Sequence, residues 1–255
     1  MVGKPVAIVT GGSKGLGHAT ALLLAERGWR IVLGSRAPEQ AAAAIAAATG
    51  AVVEAVPGDL AAPETTPRLI AAAAALGRLD ALLLNHGGPP VLPFMEIGEE
   101  AWAQSFELMV QAPLRLLRAA VPLLRAAGGG RVVAVSSFTA KAPYPGIVLS
   151  NSLRAALINA LRTAAQELGP ENILINALGP GYFATERIAA WNESYAAERG
   201  TDVAAVAEAA VASVPLRRYG QPRDYAEMAA FLMSPSNGYV TGQHILIDGG
   251  LVVAN

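Results

Sequence analysis

Short apolar, β-branched runs alternate along this chain with longer Ala- and Leu-rich stretches. Val6–Thr10, Arg30–Gly34, Val52–Val56, Ala81–Leu84, Arg131–Val135, Ile173–Ala177 and His244–Ile247 read as strands. Their nearly continuous apolar character predicts strands covered by helices on both faces. Leu16–Arg27, Glu39–Ala48, Pro63–Leu76, Glu100–Ala126, Asn151–Leu168 and Arg223–Met233 carry helical spacing between them. Pro113 and Pro122 predict kinks or a break in the helix from Glu100. With no internal repeat and no linker, the rhythm predicts one α/β domain over residues 1–255: a Rossmann-type, doubly wound, seven-stranded parallel sheet flanked by helices on both faces.

Tyr182–Pro215 departs from that rhythm, inserting a long segment with Trp191 and Tyr195 before the last strand. Its place after a strand's carboxyl end predicts a substrate lid over 182–215. A helix pair without such a role, or an oligomer contact, is the alternative.

Composition narrows the chemistry. The absence of cysteine excludes disulfides, thiolate catalysis and Cys-ligated zinc. His18, His86 and His244 are scattered without carboxylate spacing, so no metal is expected. A net charge of −1 with no run of either sign argues against nucleic acid or an anionic membrane surface as partner. The apolar stretches are interrupted short of a membrane span, and the first residues lack a secretory signal's apolar core. A cytoplasmic protein is expected.

Candidate chemistry begins at Thr10-Gly11-Gly12-Ser13-Lys14-Gly15-Leu16-Gly17, between the first strand and first helix. Glycine there permits a sharp turn and close approach of backbone to phosphate, and the helix start attracts the pyrophosphate of a dinucleotide. Coenzyme type is read at the end of the second strand, where an acidic residue would hold the ribose of NAD(H). Ser35 and Arg36 stand there instead, with Lys14 a second cation, which predicts NADP(H) over NAD(H).

Further along come Asp59-Leu60, Asn85-His86-Gly87, Ser137, Asn176, Pro180-Gly181 with Thr185, and Thr241-Gly242 before Asp248-Gly249-Gly250. In this order the residues resemble the short-chain dehydrogenase/reductase family over nearly the whole chain, with the look of its 3-oxoacyl-carrier-protein reductase branch. The resemblance implies cofactor contacts at Gly11, Ser13, Lys14, Gly15, Leu16, Gly17, Ser35, Arg36, Asp59, Leu60, Asn85, Gly87, Arg154, Pro180, Gly181 and Thr185. It implies that Asp59 holds the adenine amino group, that Pro180–Thr185 borders the nicotinamide, and that the chain forms a homotetramer or homodimer. It also implies an Asn-Ser-Tyr-Lys active site. Ser137 takes the serine role, but thirteen residues on stands Ser150 in place of Tyr, and four further Arg154 in place of Lys. Met109 aligns with the Asn.

Residues 150 and 154 lie one helical turn apart, so their side chains can meet. An aliphatic alcohol is a far weaker acid than a phenol, and Arg154 stays protonated, offering donors and positive potential. Proton delivery is open between Tyr144 in the loop after Ser137, Tyr182 beside the expected nicotinamide, and a water held by Ser137 and Ser150. The leading expectation is an NADP(H)-dependent oxidoreductase acting on a small carbonyl/alcohol pair, its catalytic set Ser137, Ser150, Arg154 and Tyr144. A silent dinucleotide-binding sensor or scaffold, and a lyase or isomerase on the same fold, are the alternatives.

Overall fold

In a computed structural model that describes residues 3–253, seven parallel strands form one sheet. Residues 1, 2, 254 and 255, the ends of the expected 1–255 domain, lie outside it. The strands are β1 (Val6–Thr10), β2 (Arg30–Ser35), β3 (Val53–Pro57), β4 (Ala81–Leu84), β5 (Gly130–Val135), β6 (Ile173–Pro180) and β7 (His244–Ile247). Their spatial order is β3-β2-β1-β4-β5-β6-β7, with Val9 paired to Leu33 on one side and Leu83 on the other. The order reverses direction beside β1, so a crevice opens at the carboxyl ends of β1 and β4.

The alternation of side chains along each strand divides the core in two. Val6 and Ile8 of β1, with Val32, Leu82 and Val132, pack under α3 (Thr65–Ala75), α5 (Ala112–Ala126) and α6 (Val148–Leu168). Ala7 and Val9, with Ile31, Leu33, Leu83 and Val133, pack under α1 (Gly15–Glu26), α2 (Glu39–Thr49) and α9 (Pro222–Met233). Each side chain of this size taken out of water contributes ~1.5–3 kcal/mol, so the two layers fix the sheet and with it the crevice.

The expected helix Glu100–Ala126 is unbroken but changes its winding midway. It runs as α4 (Glu99–Phe106), a π-helical turn Glu107–Gln111, and α5. Pro113 directly follows the π turn and Pro122 lies inside α5, and neither breaks the helix. Met109 and Val110 on the π turn are buried with Leu153 of α6, so Met109 is packing. Helix α6 starts at Val148, three residues before the expected Asn151, which puts Ser150 as well as Arg154 on it.

The segment 182–215 holds α7 (Glu186–Arg199) and α8 (Val203–Ser213), packed on one another. Trp191 and Tyr195 stack at 4.9 Å on α7, and Phe183 is anchored edge-on against Tyr225 of α9. No helix among the described residues is long and apolar enough to cross a membrane.

Candidate functional site: one cleft at the strand ends

A cleft of about 1190 Å³ runs across the carboxyl ends of the strands, from Arg36 and Asp59 at one end to Ser137, Ser150 and Trp191 at the other. The glycine turn forms its middle. Gly11 (φ 56°) and Gly15 (φ 57°) adopt left-handed backbone that favours glycine. At Gly17 the need is space: a β-carbon would fall on the Gly11 carbonyl and the Asn85 amide. Gly17 does not line the cleft, and it acts by letting α1 close onto the turn.

The turn is laced to the sheet. The Thr10 hydroxyl donates to the Asn85 carbonyl (2.7 Å) and accepts from the Asn85 N–H (2.8 Å). The Asn85 side-chain amide donates to the Gly11 carbonyl at 3.1 Å. Asn85 therefore positions the turn as well as lining the cleft. No side chain caps the start of α1, so its first N–H groups and its dipole face the cleft for an anion.

At the end of β2 the Ser35 hydroxyl is buried without a partner among the described residues, beside the exposed Arg36 guanidinium. An orphaned donor next to a free cation fits a phosphate monoester. Lys14 also lines the cleft, and its Nζ pairs with Glu186 of α7 at 2.7 Å, tying the turn to that helix. Asp59 accepts the Ala61 N–H through Oδ1 (2.9 Å), and Leu60 lines the cleft next to it.

Pro180 and Gly181 continue β6 along the cleft. A β-carbon at Gly181 would meet Asp248, whose carboxylate accepts the Gly250 and Val252 N–H groups at 3.0 Å. The C-terminal Asp-Gly-Gly thus buttresses this edge. Thr185 caps α7, its Oγ1 accepting the Ile188 N–H at 3.4 Å, and lies over Gly15.

At the far end, Ser137 follows β5 in extended backbone. Its Oγ accepts from the Thr139 N–H (3.2 Å) and hydroxyl (3.1 Å), leaving its own proton to donate. Ser150 and Arg154 do meet: Nε donates to the Ser150 Oγ at 3.1 Å. The guanidinium is otherwise turned back to the sheet, Nη1 donating to the carbonyls of Val135 (3.0 Å) and Ser136 (2.8 Å). Burial, and then the Arg187 charge, lower its pKa to about 10. It is still a cation at neutral pH.

Tyr144 lines the cleft with its side chain partly exposed, and its carbonyl accepts from the Asn151 amide at 2.8 Å. Tyr182 packs edge-on between Phe138 (5.8 Å) and Tyr219 (6.4 Å). Burial, and then the neighbouring phenols, raise its pKa, which makes it a weaker acid than an ordinary phenol.

Two residues here were not predicted as part of the catalytic set. His86 is half-buried with its Nε2 out of solvent; its Nδ1 lies 2.6 Å from the Gly87 carbonyl, which requires the proton on Nδ1 and leaves Nε2 an acceptor without a partner among the described residues. Burial, then Arg154, hold its pKa at about 3. Arg187 of α7 reaches the same corner. The motif position of His86 was a signal; a single Arg in α7 gave none. No group of three metal-ligating side chains occurs among the described residues.

A family model described as enoyl-(acyl carrier protein) reductase matches residues 11–252. The chain is 33% identical over 250 residues to dehydrogenase/reductase SDR family member 4 of Homo sapiens, covering 96% of this chain and 86% of that one. It is 30% identical over 253 residues to a 3-oxoacyl-[acyl-carrier-protein] reductase of Synechocystis, covering 97% of each. The crystal structure of L-sorbose reductase from Gluconobacter frateurii, complexed with NADPH and L-sorbose, superposes with a TM-score of 0.94 at 30% identity, covering 100% of this chain and 98% of that one.

Proposed function

Since this chain belongs to the short-chain dehydrogenase/reductase family, we propose that it is an NADP(H)-dependent oxidoreductase interconverting a carbonyl and an alcohol, with a proton-donor site that departs from the family's Tyr and Lys. The observation that carries this reading is the continuity of one cleft from the uncapped start of α1 and the Ser35–Arg36 phosphate corner to the Ser137 hydroxyl. The NADPH bound by the L-sorbose reductase of the same fold supports the coenzyme assignment.

When bound, the coenzyme supplies or accepts a hydride. The glycine turn and Thr185 hold its pyrophosphate, Ser35 and Arg36 its 2′-phosphate, and Asp59 its adenine end. Ser137 donates its free proton to the substrate oxygen, and the Arg154 cation adds positive potential where negative charge grows. Proton delivery falls to Tyr144 or to a water between Ser137 and Ser150. On this reading the chain works in the cytoplasm as a homotetramer or homodimer, as the family resemblance implies.

The test combines NADPH titration with turnover on a panel of ketones, aldehydes and alcohols, comparing wild type with Ser137→Ala and Tyr144→Phe. Removing a donor to the developing oxyanion costs ~10²–10³ in kcat, so Ser137→Ala should be nearly silent. Tight NADPH binding with no turnover anywhere on the panel would refute the enzyme reading. It would leave the second reading, a dinucleotide-binding sensor or scaffold, which one observation favours: Arg154 spends three of its N–H contacts on the sheet and on Ser150, and none on a phenol.

A further inference from the structure

Arg187, the second residue of α7, brings a further cation into the reacting end of the cleft. Its guanidinium occupies the space a β-carbon at residue 88 would take, so it lies directly on the Gly88 backbone. Gly88 is absent from the glycines with left-handed φ, so what glycine supplies there is room for this side chain.

The surroundings are one-signed. Partial burial is the influence that lowers the Arg187 pKa, with no carboxylate opposing it. Among the described residues the guanidinium makes no ion pair. Its charge acts on Arg154 and on the neutral imidazole of His86, so two cations share this corner. The acids that line the cleft stand elsewhere: Asp59 follows β3, and Glu186 is paired with Lys14. Arg154 has only neutral acceptors, and the His86 Nε2 has no partner among the described residues. Converging cations without a counter-charge, partly out of water, are stabilised by an anion. The pyrophosphate's place is the start of α1, whereas Arg187 sits at the His86–Arg154 end. Phe138, Tyr182, Ile188 and Trp191 give the same cleft apolar walls.

Resting on the oxidoreductase reading above, we propose that Arg187 is a specificity-determining residue that selects a substrate carrying a carboxylate on an apolar body, an oxo acid or the matching hydroxy acid, and holds that carboxylate beside the carbon that exchanges hydride.

The test uses benzoylformate and its methyl ester, titrated calorimetrically into the protein with and without NADP⁺. Wild type should bind the acid at least tenfold more tightly than the ester. Arg187→Gln should abolish that preference, and Arg187→Lys should recover part of it. Gly88→Ala keeps the charge but pushes the flexible guanidinium aside, and should erode the preference as well. NADP⁺ affinity should stay within threefold of wild type in all three variants. Equal binding of acid and ester by wild type overturns the proposal. So does a tenfold or greater loss of NADP⁺ affinity in Arg187→Gln, which would make the coenzyme's pyrophosphate the anion. Failure of NADP⁺ to bind wild type would sink the oxidoreductase reading instead, while the acid/ester comparison on the free protein still decides the role of Arg187.

Discussion

Replacing Arg154 by Met removes a guanidinium that joins α6 to the end of β5, at nearly constant length of side chain. The Val135 and Ser136 carbonyls and the Ser150 hydroxyl each lose a donor. Hydrogen bonds from a charged donor contribute ~2 kcal/mol each, or about 6 kcal/mol for the three. Against that stands the cost of burying the cation. The fall of its pKa from 12.5 to about 10 corresponds to ~3 kcal/mol. The net expectation is a loss of ~3 kcal/mol, less than the bonds alone suggest because Met no longer has to be desolvated as an ion. For a chain of this size ~1 kcal/mol moves Tm by about 2–4 °C, so the variant should melt about 6–12 °C lower. Differential scanning calorimetry with and without NADPH measures this directly. A Tm that is unchanged or raised would refute the reasoning, because the burial cost would then match or exceed what the bonds return. Arg154→Lys should fall between the two, since one ammonium cannot reach both carbonyls and Ser150 as the planar fork does.

Three further outcomes follow from the site. Arg36→Ala should weaken NADPH binding by roughly 10–30-fold, the lower part of the range for an exposed charge-assisted contact, and leave NADH within twofold; fluorescence titration at fixed salt compares them, and equal losses for both coenzymes would remove the 2′-phosphate assignment. Gly17→Ala should cost ~1–3 kcal/mol in urea unfolding, because its methyl meets the Gly11 carbonyl, a backbone atom with nowhere to go, and unaltered stability would disprove that contact. His86 binds its proton less readily folded (pKa about 3) than unfolded (~6.5), so the unfolded state carries more protons between those values and stability falls as pH drops through that window. From pH 7 to pH 5 its share of the loss is ~2 kcal/mol, and His86→Asn should lose that part of the slope in unfolding curves at the two pH values.

The sheet was legible because its central strands are buried on both faces, so Val6–Val9, Ala81–Leu84 and Ile173–Ile175 are apolar without a break. The phosphate turn was legible for a different reason: its glycines are required by backbone and space, and few other residues can stand there. The π turn before Pro113 was not, since a local change of winding leaves the apolar spacing almost untouched. Least legible were the partners of long side chains. Lys14 meets Glu186 across 172 residues of chain, and Arg187 reaches back to Gly88. Arg154 could be placed beside Ser150 by helical spacing, but its turn toward the β5 carbonyls depends on how α6 docks. Such contacts are decided by tertiary geometry, and no spacing in the sequence encodes them.

The two halves of the cleft are held in unequal ways. The glycine turn is bound into the ends of β1 and β4 by the buried Thr10 and by Asn85, through three hydrogen bonds. The start of α7 is tied to that turn by the Lys14–Glu186 pair, which is largely exposed and adds at most ~1 kcal/mol. In the language of hydrogen exchange, amides of the turn belong to the unit that opens only with the whole domain, while those at the start of α7 open locally. On that footing the start of α7 can open while the turn keeps its shape.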